Sequence, residues 1–353
     1  MLVPYTYVPH QMDKMQGYID TIFEVWCSAP SGTAYSLNLF NTNAELKHIM
    51  EVFRVTDTKG GDFFNLHVEL LYAEFSNLNA AQIVQLRDWY NANNTIEQIC
   101  ENDPAIQAAK YDDIKAINED FAKLLKKFFM GLYSKDLLDL KVLKDQIGNI
   151  DDHHKSFVTT NNLGKCPFCG IESIKGKFHE KREAYDHYLP KSLYPFNAIN
   201  FRNLVPTCHE CNSSYKTIKD PISLDGVTRR AFYPYAENTY SIDVTIVLNT
   251  TEYEDLSPDD LEIQYGPTAL DDKIDTWRHL YGIDERYKAK CCGENDGKYW
   301  LTQVIDEWKE DDREPADFLA TLDRRAKKNP LAESNFLKNS FLKACDNAGI
   351  FEL

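Results

Sequence analysis

The stretch that decides the fold reads CPFCG (residues 166–170), then YDHYLPKS (185–192), then NLVPTCHECNSSYK (203–216). Its first and last parts each contain a C-x-x-C pair, and the tight turn between such cysteines presents two sulfur atoms to one point. Two pairs supply the four thiolates of a closed tetrahedral zinc site. We therefore predict that one structural Zn²⁺ is held by Cys166, Cys169, Cys208 and Cys211.

The residues between the cysteines predict a strand, a second strand and a helix. Ala184–Leu189 can form a short strand that Pro190 ends, and Asn203–Cys208 can form another that runs into the second C-x-x-C pair. A helix is predicted from Asn212 to Lys219. A hairpin and one helix have too little apolar core to fold alone, so zinc would contribute folding free energy.

This arrangement resembles the HNH, or ββα-metal, endonuclease family, in the subgroup with two C-x-x-C zinc knuckles. The resemblance covers about 55 residues, a length that suits one small zinc-stabilised unit. The matching positions are Asp186-His187 with Pro190, Asn203-Leu204, Cys208-x-x-Cys211 followed at once by Asn212, and Lys216.

The resemblance implies a role for each polar residue of the motif. His187 would be the general base that takes a proton from the attacking water, and Asn203 would hold its imidazole in place. Asp186 and Asn212 would bind one Mg²⁺ or Mn²⁺ ion. Asn212 stands where some members of the family have histidine and others asparagine, so this departure does not argue against activity.

Elementary chemistry is consistent with these roles. Hydrolysis of a phosphodiester needs a proton acceptor and a cation on the phosphate, and a neutral imidazole is the natural acceptor near pH 7. Carboxylate and amide oxygens suit Mg²⁺ or Mn²⁺ better than Zn²⁺. We expect phosphate contacts from Lys216, Lys191, Arg202 and Lys219, and with less support from Arg182.

A non-catalytic function is the alternative. Many proteins with two C-x-x-C pairs are zinc-stapled modules that only bind protein or nucleic acid. His209 and His179 are expected to be surface histidines rather than metal ligands. RNA is a further alternative substrate, because the motif does not read the sugar.

The charge distribution singles out the same segment. The chain has 353 residues and a net charge of −16. Residues 155–230 nevertheless carry 12 lysines and arginines against 7 aspartates and glutamates, a net charge of +5. A polyanion such as DNA would be drawn to this segment and repelled elsewhere, which suggests weak binding of DNA without a partner.

The rest of the chain predicts an α+β protein that is mainly helical. We divide it into a helical scaffold or docking domain (1–154), the HNH-like domain (155–230) and a C-terminal region of strands followed by helices (231–353). Single helices are predicted over 112–132, 134–147 and 271–290, and strands over 231–249. The adjacent His153 and His154 are expected in a solvated linker.

Composition argues for a reducing, cytoplasmic location. The start of the chain lacks the basic and apolar runs of a signal peptide, and no apolar stretch is long enough to span a membrane. Nine cysteines are an odd number for a disulfide framework. The five outside the knuckles are expected to be ordinary thiols: Cys27, Cys100, Cys291, Cys292 and Cys345.

A looser resemblance extends beyond the core motif. Phe232-Tyr-Pro-Tyr235 and the segment 274–287 resemble bacterial HNH proteins of anti-phage systems, in particular the Septu-type nuclease subunit. That resemblance implies a defence role and a protein partner, an ABC/SMC-like ATPase. Whether the chain forms a homo-oligomer is left open.

Overall fold

The computed structural model describes residues 1–352, and these are mainly helical with a few short strands. The predicted α+β, mainly α class is therefore confirmed. Ten helices precede the first strand: α1 (Lys14–Ser28), α2 (Ala44–Val55), α3 (Lys59–Ser76), α4 (Ala80–Asn94), α5 (Ile96–Cys100), α6 (Tyr111–Lys115), α7 (Glu119–Leu132), α8 (Lys135–Leu138), α9 (Lys141–Ile147) and α10 (Ile150–Thr160).

Strands and the remaining helices follow in the second half of the chain. The strands are β1 (Ala184–His187), β2 (Leu204–Thr207), β3 (Ser223–Leu224), β4 (Val227–Thr228), β5 (Asp243–Leu248) and β6 (Leu261–Gly266). They form three antiparallel pairs, β1–β2, β3–β4 and β5–β6. The later helices are α11 (Asp271–Tyr281), α12 (Ile283–Cys292), α13 (Gly297–Asp311), α14 (Pro315–Lys328) and α15 (Asn335–Asn347).

One further helical segment, Glu210–Lys216, begins inside the second C-x-x-C pair and has π-helical hydrogen bonding. We call it the knuckle helix. It is shorter than the predicted Asn212–Lys219 and begins two residues earlier. The order strand, strand, helix is the one expected from the sequence, and the register pairs His187 with Leu204 and Asp186 with Val205.

Several predicted helices are interrupted. Asn118 caps α7 by accepting a hydrogen bond from the backbone N–H of Phe121, so the segment 112–132 breaks into α6 and α7. The segment 134–147 likewise divides into α8 and α9. Gly282 adopts a left-handed conformation (φ 57°) that ends α11, so the segment 271–290 forms two helices.

The prediction of a solvated linker at His153 and His154 was wrong. Both side chains are buried in α10. His153 shares a hydrogen bond of 2.5 Å with the Tyr185 hydroxyl, and His154 accepts one from the backbone N–H of Glu183. The sequence pattern did not reveal the buried face of this short helix, because the two polar histidines share that face with Phe157 and Val158.

The β1–β2 hairpin lies between two hydrophobic cores. The N-terminal core consists mainly of apolar side chains from α1 to α9, and it includes Tyr185 and Leu204 from the hairpin. The C-terminal core contains the knuckle cysteines and side chains from β5, β6 and α11–α15, and it includes Val205. Alternation along β1 therefore directs Asp186 toward the C-terminal core and His187 toward the N-terminal core.

No described helix combines the length and the apolar character that crossing a membrane requires. The division of the chain into three consecutive domains stays a prediction.

Candidate metal centre and its surroundings

The four knuckle cysteines come together. Their sulfur atoms all lie within 4.8 Å of one another and all four residues are buried. With Zn–S bonds of about 2.3 Å, the edges of a tetrahedral site measure ~3.8 Å, so small side-chain adjustments suffice. The four cysteines could therefore hold a zinc ion.

Local backbone geometry explains why each pair points inward. In the first knuckle the N–H of Gly170 donates to the Cys166 carbonyl at 2.6 Å, and Gly170 has a φ of 72° that favours glycine. In the second knuckle the N–H of Cys211 donates to the Cys208 sulfur at 3.4 Å. The N–H of Asn212 donates to the Cys208 carbonyl at 3.0 Å.

Burial and hydrogen bonding shift the pKa values of three of the four thiols. Burial raises the pKa of Cys166 and Cys211 well above the ordinary value of a thiol. Burial also acts on Cys169, but hydrogen bonds from the other three thiols lower its pKa. The guanidinium of Arg286, from α12, donates to the Cys211 sulfur at 3.2 Å and supplies positive charge. Four buried thiolates would still carry excess negative charge, which a divalent ion offsets.

Asp186 and Lys216 form a buried ion pair beside the cysteines. The Lys216 ammonium donates to Oδ1 of Asp186 at 3.0 Å and to the His187 carbonyl at 3.0 Å. Both side chains are inaccessible, with exposed fractions of 0% for Lys216 and 5% for Asp186. Burial raises the pKa of Asp186, although the positive charge of Lys216 acts in the opposite direction.

The second carboxylate oxygen of Asp186 also faces the ammonium of Lys216. Oδ2 lies 3.0 Å from the same ammonium nitrogen but makes no hydrogen bond, and it is shielded from solvent. It is an oxygen donor of the kind that Mg²⁺ prefers. A cation at this position would have to compete with the ammonium of Lys216, since both would occupy the same side of the carboxylate.

His187 lies on the opposite face of the hairpin and is only partly exposed. Its Nε2 is 2.9 Å from the carbonyl oxygen of Ala198. The imidazole packs edge to face against the ring of Tyr133, which lies just past the end of α7, with 5.0 Å between the ring centres. Burial, followed by the positive charge of Lys191, lowers the pKa of His187 to about 3. The imidazole is therefore neutral at physiological pH.

Asn203 does not hold the imidazole as the resemblance implied. Its Oδ1 accepts from the backbone N–H of Leu189 at 2.8 Å, and its Nδ2 donates to the Leu189 carbonyl at 3.0 Å. Nδ2 also approaches the carbonyl and side-chain oxygens of Asn197 at 3.3 Å. Asn203 thus closes the loop between β1 and β2, which also carries Ala198. Asn203 therefore influences the position of His187 only indirectly, through the loop whose Ala198 carbonyl contacts the imidazole.

Asn212 lies in the knuckle helix, one turn before Lys216. The helix therefore places the Asn212 amide on the same side as the ammonium that contacts Asp186. The Asn212 side chain is half-buried, and within residues 1–352 no hydrogen bond occupies its amide. Its availability as a metal ligand stays a prediction.

The residues predicted to contact phosphate differ in accessibility. Lys216 is fully buried in its ion pair and cannot reach a phosphate, so that prediction does not hold. Lys191 donates to the Met130 carbonyl at 3.3 Å, and burial lowers its pKa. Arg202 is exposed and lies 4.4 Å from the centre of the Tyr7 ring, and Lys219 donates to the His279 carbonyl at 3.4 Å. These three stay predictions.

Several contributors to the site could not be identified from the motif. Arg286 reaches the cysteines from 75 residues away along the chain, and the Ala198 carbonyl is a backbone group in a loop. Tyr133 comes from the N-terminal helices. The segment 274–287, which contains Arg286, carried a looser family resemblance, and this was the one available signal.

Comparison with known proteins gives one partial similarity. The chain is 30% identical over 115 residues to a Septu protein, PtuB, from Bacillus thuringiensis. The match covers 31% of this chain and 37% of the relative, so the chain spans little more than a third of that protein's length. No family model matches the sequence, and no solved structure matches it.

Proposed function

We propose that this protein is a metal-dependent endonuclease that hydrolyses DNA phosphodiester bonds, with His187 as the general base. The observation that carries the proposal is the hydrogen bond between His187 Nε2 and the Ala198 carbonyl. A carbonyl only accepts, so Nε2 must carry the proton and Nδ1 must carry the lone pair. The ring is thereby fixed in a form that can take a proton from water.

The environment of this base suits an anionic substrate. Lys191 contributes to the lowered pKa of His187, and it would attract a phosphate group to the same place. The negative charge of the bound phosphate would then raise the pKa of the imidazole toward the operating pH. Proton transfer would become more favourable only when substrate is present.

Asp186 and Asn212 are the proposed oxygen donors for Mg²⁺ or Mn²⁺. Such an ion would stabilise the negative charge that develops on the phosphate and the leaving oxygen. Oδ2 of Asp186 would take this role once Lys216 gives up its ion-pair contact to that oxygen. The four cysteines would hold a separate, structural zinc ion.

A role in bacterial anti-phage defence is proposed from the similarity to the Septu protein PtuB. The Septu-type resemblance also implies a protein partner, an ABC/SMC-like ATPase. Net charge supports dependence on a partner, because a chain of −16 is repelled by DNA over most of its surface. Partner binding would bring the basic segment 155–230 to the substrate.

Plasmid cleavage tests the proposal. Supercoiled DNA would be incubated with Mg²⁺ or Mn²⁺ and the protein, alone and co-expressed with the product of the neighbouring gene. We expect His187→Ala to abolish nicking, while His48→Ala, which alters an exposed histidine of α2, retains it. Equal nicking by the wild type and by His187→Ala would refute catalysis by this motif.

A zinc-stapled binding module is the second candidate, and the buried Asp186–Lys216 pair favours it. A carboxylate neutralised by lysine needs no catalytic ion. Titration with Mn²⁺ after zinc loading separates the two functions. A nuclease should bind a second, weaker ion that is lost in Asp186→Ala, whereas a binding module should bind zinc alone.

A further inference from the structure

We propose that the loop between the first knuckle and β1, residues 174–182, is a DNA-binding element in which Phe178 stacks on an unpaired base. We call this segment the basic loop. The inference rests on the proposed function and assigns to it a substrate contact that the motif does not contain. It also replaces Lys216, which the structure buries, as a source of contact to the polyanion.

Phe178 has no packing role that explains its presence. Its exposed fraction is 90%, higher than that of Val55 (82%) or Val227 (69%), the next most exposed large apolar side chains. A single exposed aromatic ring is common on protein surfaces, so Phe178 points to a ligand only together with the cations around it. The ammonium of Lys177 lies 5.0 Å from the ring centre, so a cation accompanies the ring.

The basic loop carries the excess of positive charge expected of a site that binds a polyanion. It carries Lys175, Lys177, Lys181 and Arg182 against one acidic residue, Glu180, in a chain with a net charge of −16. Lys175 pairs with Glu183, and Arg182 pairs with Asp151. Among the ion pairs of residues 1–352, none involves Lys177 or Lys181, and both are exposed. These two cations flank Phe178 and are available to phosphates.

The basic loop is anchored rather than free. At its tip, the backbone N–H of His179 donates to the Gly176 carbonyl at 3.0 Å, and the N–H of Gly176 donates to His179 Nδ1 at 3.1 Å. At its base, the N–H of Lys175 donates to the Glu183 side chain at 2.9 Å. A ring held on such a turn is partly pre-positioned, which lowers the entropic cost of stacking.

A cleft connects the basic loop to the zinc centre. It has a volume of about 630 Å³, and its lining includes the loop residues from Ile174 to His179 together with Cys208 and His209. Three glutamates, Glu172, Glu183 and Glu210, also line it, so the lysines of the loop must outweigh their charge. Glu210 belongs to the knuckle helix, which also carries Asn212. A strand of nucleic acid lying in the cleft would contact Phe178 and pass beside the first residue of the helix that carries Asn212. Stacking on the ring favours DNA with an unpaired stretch over intact duplex.

The test is fluorescence anisotropy with labelled DNA that contains a single-stranded gap. All variants are made in the His187→Ala protein with its co-expressed partner, so that cleavage does not interfere. We expect Phe178→Ala to raise Kd roughly 5- to 150-fold, which is the effect of losing the stacking of one base on an aromatic ring. Lys177→Ala with Lys181→Ala should lower the salt slope of binding by about 1.4.

Control substitutions alter exposed residues elsewhere on the surface. Tyr299→Ala removes an aromatic ring that is 53% exposed on α13, and Lys309→Ala with Lys328→Ala removes two exposed lysines of the C-terminal helices. Neither control should change Kd more than about twofold, as is typical of substitutions at remote surface positions. All of these side chains are exposed, so the variants should fold.

The outcomes separate this inference from the proposed function. If plasmid cleavage depends on His187 while Phe178→Ala leaves Kd unchanged, the basic loop is not the contact and the nuclease proposal stands. If the wild type with its partner neither binds nor cleaves DNA, both proposals fail. Tighter binding of RNA than of DNA, with the same dependence on Phe178, would overturn the assignment to DNA.

Discussion

Replacing Lys216 with methionine should cost a large and pH-dependent amount of stability. The substitution removes the ammonium but keeps the length and apolar volume of the side chain. It leaves the carboxylate of Asp186 buried without a partner, since Lys216 supplies the hydrogen bond to Oδ1 and the ion-pair contact to Oδ2. Breaking a buried pair in this way typically costs ~3–5 kcal/mol.

Protonation of Asp186 sets an upper limit on the stability that Lys216→Met loses through the buried carboxylate. Without Lys216 the pKa of the buried carboxyl rises further, and the group escapes its penalty by binding a proton. Relative to an unfolded pKa near 3.9, neutralising it costs about 4 kcal/mol at pH 7 and about 1.5 kcal/mol at pH 5. A group whose folded pKa is raised becomes less destabilising as pH falls, so the penalty of Lys216→Met should shrink by ~2–3 kcal/mol over this interval.

Urea unfolding at pH 7 and pH 5, followed by tryptophan fluorescence, to which the buried Trp277 contributes, measures the effect. Trp277 donates its indole N–H to the Phe168 carbonyl inside the first knuckle, so it reports on this region. The double variant Asp186→Asn/Lys216→Met should lose much less stability than the sum of the single variants. A loss below about 1 kcal/mol at pH 7, or a loss that does not change with pH, would show that Lys216 does not neutralise a buried carboxylate.

Three further results are expected. The isolated protein should contain one zinc ion per chain by metal analysis, a number that follows from the four converging sulfur atoms. Cys208→Ser should lower the thermal midpoint by about 10 °C, whereas Cys292→Ser, outside the cluster, should change it little. Burial, with the nearby His10 and His154, lowers the pKa of His153 to about 4, so the unfolded chain alone takes up this proton as pH falls below about 6.5. Stability should therefore decrease by about 1.4 kcal/mol between pH 7.5 and pH 5.5 on account of His153, and His153→Phe should remove that part of the pH dependence while His48→Gln, on an exposed side of α2, should not.

The sequence predicted the parts of the site that depend on local spacing. The convergence of the four sulfur atoms and the order strand, strand, helix follow from two tight turns and from short apolar runs next to them. The nuclease role of Asp186, His187 and Asn212 is a prediction that the geometry does not test. A spacing identifies which residues can meet, and it does not indicate which of them are accessible.

Contacts over long sequence separations could not be predicted. Lys216 has the spacing of an exposed helical lysine, but the knuckle helix turns it into the C-terminal core, where Asp186 neutralises it. The placement of His187 depends on Tyr133, 54 positions earlier in the chain, and on a carbonyl in the β1–β2 loop. Such placements result from packing between two cores. The periodicity of a single sequence does not reveal that packing.

Chemical rescue is the most direct test of His187 as the proton acceptor. His187→Gly opens a space beside Tyr133 and the Ala198 carbonyl that free imidazole can enter. We expect this variant, with Mg²⁺ or Mn²⁺ and the co-expressed partner, to nick supercoiled plasmid only when imidazole is added, and at a rate that increases with the concentration of neutral imidazole. Nicking by His187→Gly at the wild-type rate without imidazole would contradict the account.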